Sequence, residues 1–84
     1  MTKKILVIDN DLNNMEIIRN KIKDLDCQVI EAFDGEEGLK KIIEDKPDLV
    51  ITNAFLPKVN GYKICKKLKE SPELEKIPVI MFSP

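Results

Sequence analysis

The chain has 84 residues, enough for one small domain, residues 1–84, and no more. Hydrophobic residues make up 43% and charged residues 35%, a globular rather than a disordered composition. Net charge is −1, from 14 basic and 15 acidic residues, which gives no reason to expect nucleic-acid or membrane binding.

No apolar run approaches the ~20 residues of a membrane span. Met1-Thr2-Lys3-Lys4 leads straight into a short strand, without the apolar stretch and cleavage site of a signal peptide. Cys27 and Cys65 are too few and too far apart for a metal motif or a disulfide framework. Both lie in apolar segments and read as small buried thiols. Together these features predict a cytoplasmic protein. The chain has no histidine, so the commonest general base and metal ligand is missing.

Strand and helix alternate along the chain. Ile5 to Ile8 is fully apolar and reads as a central strand. Asp11 or Asn13 caps a helix running to about Leu25, with Met15, Ile18, Ile22 and Leu25 on one face. Cys27 to Ala32 is a second strand. Asp34-Gly35 turns the chain into a second helix, striped by Leu39, Ile42 and Ile43 and ended at Lys46-Pro47. Leu49 to Thr52 is a third strand, and Asn53 to Asn60 a loop containing Pro57. Gly61 opens a third helix with Ile64, Cys65 and Leu68 facing inward and Tyr62 covering its edge. Lys40-Lys41 and Lys66-Lys67 read as solvated helix faces. Ser71-Pro72 stops the third helix, and Ile77 to Ser83 is a fourth strand. Helix-length connections imply right-handed crossovers and a parallel sheet.

Three of the strands end alike: Ile5 to Ile8 runs into Asp9-Asn10-Asp11, Leu49 to Thr52 into Asn53, and Ile77 to Phe82 into Ser83. In a parallel sheet such ends line up at the carboxyl edge, where open α/β sheets place their sites. No Gly-x-Gly-x-x-Gly, no phosphate loop and no serine or cysteine paired with a base supports a nucleotide-binding protein or a small enzyme.

Five motifs in order carry a family resemblance. They are the polar cluster Asp9-Asn10-Asp11, Asp34-Gly35-x-x-Gly38, Pro47-Asp48-Leu49-Val50-Ile51, Leu56-Pro57-Lys58-Val59-Asn60-Gly61-Tyr62 and Ile77-Pro78-Val79-Ile80-Met81-Phe82-Ser83. With them the whole chain resembles the receiver domain of two-component response regulators. The resemblance implies a flavodoxin-like, three-layer α/β/α fold with parallel sheet order 2-1-3-4. It puts the first helix on one face and the second and third on the other. Receivers continue with a helix, a fifth strand carrying an active-site lysine, and a last helix. The chain is therefore expected to be an incomplete receiver, lacking the last strand and last two helices.

In receivers two acidic residues after the first strand bind Mg²⁺ together with a phosphate-accepting aspartate. Those positions match Asp9, Asn10 and Asn53. Mg²⁺ wants hard anionic oxygens, and an amide cannot be the carboxylate nucleophile of an aspartyl phosphate. Asp11 is a partial substitute ligand whose first role is to cap the helix. Ser83 matches the hydroxyl residue that contacts the phosphoryl group. The expectation is a degenerate Mg²⁺ site, weak or absent, with no catalytic residue and no resident cofactor. The implied function is a pseudo-receiver: not an enzyme, but an interaction module in phosphorelay signalling whose partners are a histidine kinase or an output domain. The alternative is a fragment or inactivated variant of a working Mg²⁺-dependent receiver. A fourth strand apolar on both faces, with no fifth beside it, predicts a homodimer through that exposed edge.

Overall fold

The computed structural model describes residues 2–83. Its elements alternate as β1 (Lys3–Ile8), α1 (Leu12–Ile22), β2 (Cys27–Ala32), α2 (Gly35–Asp45), β3 (Leu49–Asn53), α3 (Gly61–Lys69) and β4 (Val79–Phe82). All strand pairings are parallel, and the order is β2-β1-β3-β4.

The apolar run of β1 explains its place. Ile5, Leu6, Val7 and Ile8 are all buried, because β1 has a strand on either edge and helices over both faces. Alternation divides these side chains between two cores. Ile5 and Val7 meet Met15 of α1, with Ile18, Ile22, Val29 and Ile51 around them. Leu6 and Ile8 meet Ala32, Ile42, Val50, Ile64 and Leu68 beneath α2 and α3. The sheet is thus sandwiched with α1 on one face and α2 and α3 on the other, as expected from the resemblance.

Several element ends depart from the sequence expectation. Helix α1 is capped by Asp11, whose carboxylate accepts from the N–H groups of Asn13 at 2.8 Å and Asn14 at 3.4 Å. It ends at Ile22 rather than Leu25, and Leu25 is exposed. Asp24 and Asp26 would place negative charge at the negative end of the helix, and the chain instead tightens so that Leu25 N–H donates to Ile22. In α2 the inward stripe is Gly38, Leu39 and Ile42. Ile43 lies about 100° further round and is exposed. Strand β3 runs one residue past Thr52 to include Asn53. Strand β4 is shorter than Ile77–Ser83. Pro78 has no N–H for the ladder, Ile77 N–H turns back to Leu74, and Ser83 lies beyond the last pair. Tyr62 is exposed rather than covering the edge of α3. Cys27 and Cys65 are half-buried free thiols.

Two glycines let segments approach more closely than a side chain allows. A Cβ at Gly35 would overlap the Val59 carbonyl oxygen, so the start of α2 lies directly against the β3–α3 loop. A Cβ at Gly61 would sit 2.8 Å from the Asn53 carbonyl oxygen, so α3 begins against the end of β3.

Met15 is the one fully buried side chain of α1 among the described residues. Met15→Ala is expected to cost about 2–5 kcal/mol in urea unfolding. A loss under about 1 kcal/mol would mean that α1 does not hold its side of the sheet as described.

Candidate functional site

The carboxyl edge collects the predicted polar residues because β1, β3 and β4 run parallel and in register. Ile8 pairs with Thr52, and Asn53 with Phe82. Asp9 follows β1 directly, and its N–H continues the ladder to the Ala32 carbonyl at 3.1 Å. Asp9, Thr52 and Asn53 are the buried polar residues of the described chain, at 0%, 0% and 4% exposure.

Their hydrogen bonds define the site. Asp9 Oδ1 accepts from the Asp11 N–H at 3.0 Å and from Asn53 Nδ2 at 3.4 Å. Asn53 Oδ1 accepts from the Phe55 N–H at 2.9 Å. The carboxamide therefore spends its donor side on β1 and its acceptor side on the loop that follows β3. Asp9 Oδ2 is buried and has no hydrogen-bond partner among the described residues. The Thr52 hydroxyl turns along its own strand and donates to the Asn53 carbonyl at 3.1 Å.

The structure brings Asp9 and Asn53 together and joins Asp11 to Asp9 through its backbone N–H alone, with Asn10 and Ser83 exposed outside the cluster. Asn10 is exposed, because it is the first residue to leave the sheet edge. Asp11 Oδ1 is occupied by the N-terminal amides of α1. Ser83 is exposed past the end of β4, and no hydrogen bond ties it to Asp9 or Asn53. The bond from Phe55 N–H to Asn53 Oδ1 has the spacing of an Asx turn, the local backbone bond that an asparagine opening a loop is expected to make. What sequence reasoning missed was the bond from its NH₂ to Asp9. It also missed the support of the loop: Lys58, at φ 68°, reaches Asp34 Oδ2 at 3.7 Å. The Asn60 side chain caps α3 by accepting from Lys63 N–H at 2.9 Å.

Asp9 Oδ2 tests whether the site suits a divalent cation. It is one free, buried carboxyl oxygen, and Mg²⁺ requires several hard oxygens in near-octahedral array. Asn53 faces Asp9 with its NH₂, which repels a cation, and has given its oxygen to Phe55. No group of three or more Asp, Glu, Cys or His side chains suitable for a metal occurs among the described residues. These residues do not fit Mg²⁺.

A family model for the response regulator receiver domain matches residues 5–84. The chain is 36% identical over 83 residues to the alkaline phosphatase synthesis transcriptional regulatory protein PhoP of Bacillus subtilis, covering 99% of this chain and 34% of that protein. It is 30% identical over 83 residues to the response regulator PleD of Caulobacter vibrioides, covering 99% of this chain and 18% of that protein. The solved signal receiver domain of a signal transduction histidine kinase from Syntrophus aciditrophicus superposes with a TM-score of 0.90 at 27% identity. That match covers 96% of this chain and 61% of that one. The chain spans about a third of the length of the first curated relatives it matches.

Asn53→Asp is expected to destabilise the protein by about 2–3 kcal/mol in EDTA. It removes a donor from Asp9 and adds a second carboxyl group to a buried site. Millimolar Mg²⁺ should restore part of that loss in the variant and leave the native chain unchanged, as read by thermal unfolding. Stabilisation of the native chain by Mg²⁺ would contradict this geometry.

Proposed function

The chain belongs to the response regulator receiver family, and we propose that it works there as a pseudo-receiver, a phosphorylation-independent interaction module in phosphorelay signalling. One observation carries this reading: the residue at the acceptor position is an asparagine whose NH₂ faces Asp9 and whose oxygen is bonded to Phe55 N–H. A carboxamide is no nucleophile toward a phosphoryl donor. Asn10, exposed and uncharged, adds no anionic ligand. The module is cytoplasmic, a signalling component rather than an enzyme, and its partners are a histidine kinase or an output domain. It holds no resident Mg²⁺.

The supporting surfaces are those the sheet leaves open. Strand β4 is an edge strand, and its outer N–H and C=O groups have no neighbouring strand among the described residues. Ile80 is 53% exposed on it. Beside it, Ile17, Ile18, Ile22, Ile51, Ile80 and Phe82 line a groove of about 420 Å³. Apolar edge strands invite pairing with another chain, and the proposed occupant is a second copy of this chain, paired through β4.

Two measurements test the proposal. Acetyl phosphate and beryllofluoride, each with Mg²⁺, should leave the native mass and amide spectrum unchanged. Covalent phosphorylation, or tight Mg²⁺-dependent beryllofluoride binding, would favour the alternative of a working receiver. Light scattering over a concentration series should give a dimer, shifted toward monomer by Ile80→Lys. A monodisperse native monomer would overturn the β4 contact.

A further inference from the structure

Helix α3 carries four lysines and no acidic residue between Gly61 and Lys69. Lys63, Lys66, Lys67 and Lys69 are all exposed. The ion pairs among the described residues are Arg19–Glu31, Lys41–Glu37, Lys46–Glu73 and Lys58–Asp34, and none involves these four. The concentration is local, since the chain as a whole has more acidic than basic residues.

The arrangement costs the helix something. Lys63 and Lys66, Lys63 and Lys67, and Lys66 and Lys69 stand three or four residues apart, where like charges repel. Lys66, Lys67 and Lys69 recover part of this from the negative end of the helix, but Lys63 lies in the first turn, where a cation is unfavourable. The inward side of the same helix is fully used: Ile64 and Leu68 are buried in the core. The outer side therefore combines a packed backbone with four lysines that form no ion pair among the described residues. Tyr62, 60% exposed, adds an aromatic surface one turn from Lys66. Lys63, Lys66, Lys67 and Glu70 frame a shallow cleft of about 220 Å³.

We propose that the outer face of α3 is a docking surface for an acidic polypeptide segment of a partner protein. This rests on the interaction-module reading above and names the chemistry of the partner. Nine helical residues span about 13 Å, which suits a short acidic segment engaging several lysines at once. A nucleic acid is the less suited polyanion. All four cations are lysines, which lack the planar fork that arginine offers to phosphate. The chain's single arginine, Arg19, is on α1 and paired with Glu31.

Poly-L-glutamate serves as the probe, with a single-stranded DNA oligonucleotide of matched charge beside it. Amide chemical shifts of the intact chain are followed by NMR at several salt concentrations. Poly-L-glutamate should shift residues of α3 selectively and bind more weakly as salt rises. The quadruple variant K63Q/K66Q/K67Q/K69Q should lose about tenfold in affinity. The control K21Q/K23Q/K40Q/K76Q, which removes the same charge elsewhere on the surface, should keep it. Equal loss in both variants would overturn the proposal by reducing it to net charge. So would tighter binding of the oligonucleotide, or no binding of poly-L-glutamate at all. Shifts confined to β4 and its groove would also overturn it while leaving the interaction-module reading intact.

Discussion

A carboxyl group with no access to water must be met by donors, and among the described residues Asp9 is met on one of its two oxygens. The rest of the carboxyl edge follows from that constraint. Asp9 is held inside because it continues β1, the strand with neighbours on both edges and helices on both faces. Its Oδ1 is shared by the Asp11 N–H, where the chain turns into α1, and by the Asn53 side chain at the end of β3. One oxygen thus joins the central strand to its neighbour and to the entry of a helix. Asn53 extends the connection to the next loop through Phe55 N–H. In a site built for a cation, the groups around Asp9 would be anionic and the cation would hold them together. Here a neutral donor stands in that place and reaches one oxygen only.

The loop between β3 and α3 is fixed from both ends. Gly61 permits α3 to start against the Asn53 carbonyl, and Gly35 permits α2 to start against the Val59 carbonyl. Lys58 adds a contact to Asp34, the residue that caps α2. The amide at 53 is therefore one of several ties at this edge. Among the described residues two exposed surfaces lie elsewhere: the β4 edge with its apolar groove, and the lysine face of α3. The first exposes apolar side chains and backbone groups, the second a cluster of lysines, so they suit different contacts.

Much of this was legible in the sequence because it rests on local pattern. The run from Ile5 to Ile8 announced a strand buried on both faces. Cys27 to Ala32 matched β2 residue for residue, and the polar residues after β1 and β3 marked the edge on which Asp9 and Asn53 meet. What could not be read depended on geometry between segments. Ile43 and Leu25 fit an apolar helical spacing, but one lies a step off the buried stripe and the other follows a helix end set by nearby aspartates. Tyr62 had the composition of a packing residue and found no surface to pack on. Asn10 stood in a row with Asp9 yet left the edge, because the chain bends away from the sheet there, past the end of β1. The bond from the Asn53 NH₂ to Asp9 was also beyond sequence, since it joins residues on two different strand ends.

The proposed role rests on the hydrogen bond from the Asn53 carboxamide to Asp9. Its most direct test is the pair of Asn53 side-chain NH₂ resonances in the native protein, followed by NMR. The account predicts hydrogen exchange slower than that of the exposed asparagines, and resonances that do not move when millimolar Mg²⁺ is added. Rapid exchange, or a saturable Mg²⁺-dependent shift of those resonances, would show that the amide is not bonded to Asp9 and that a cation competes for the site.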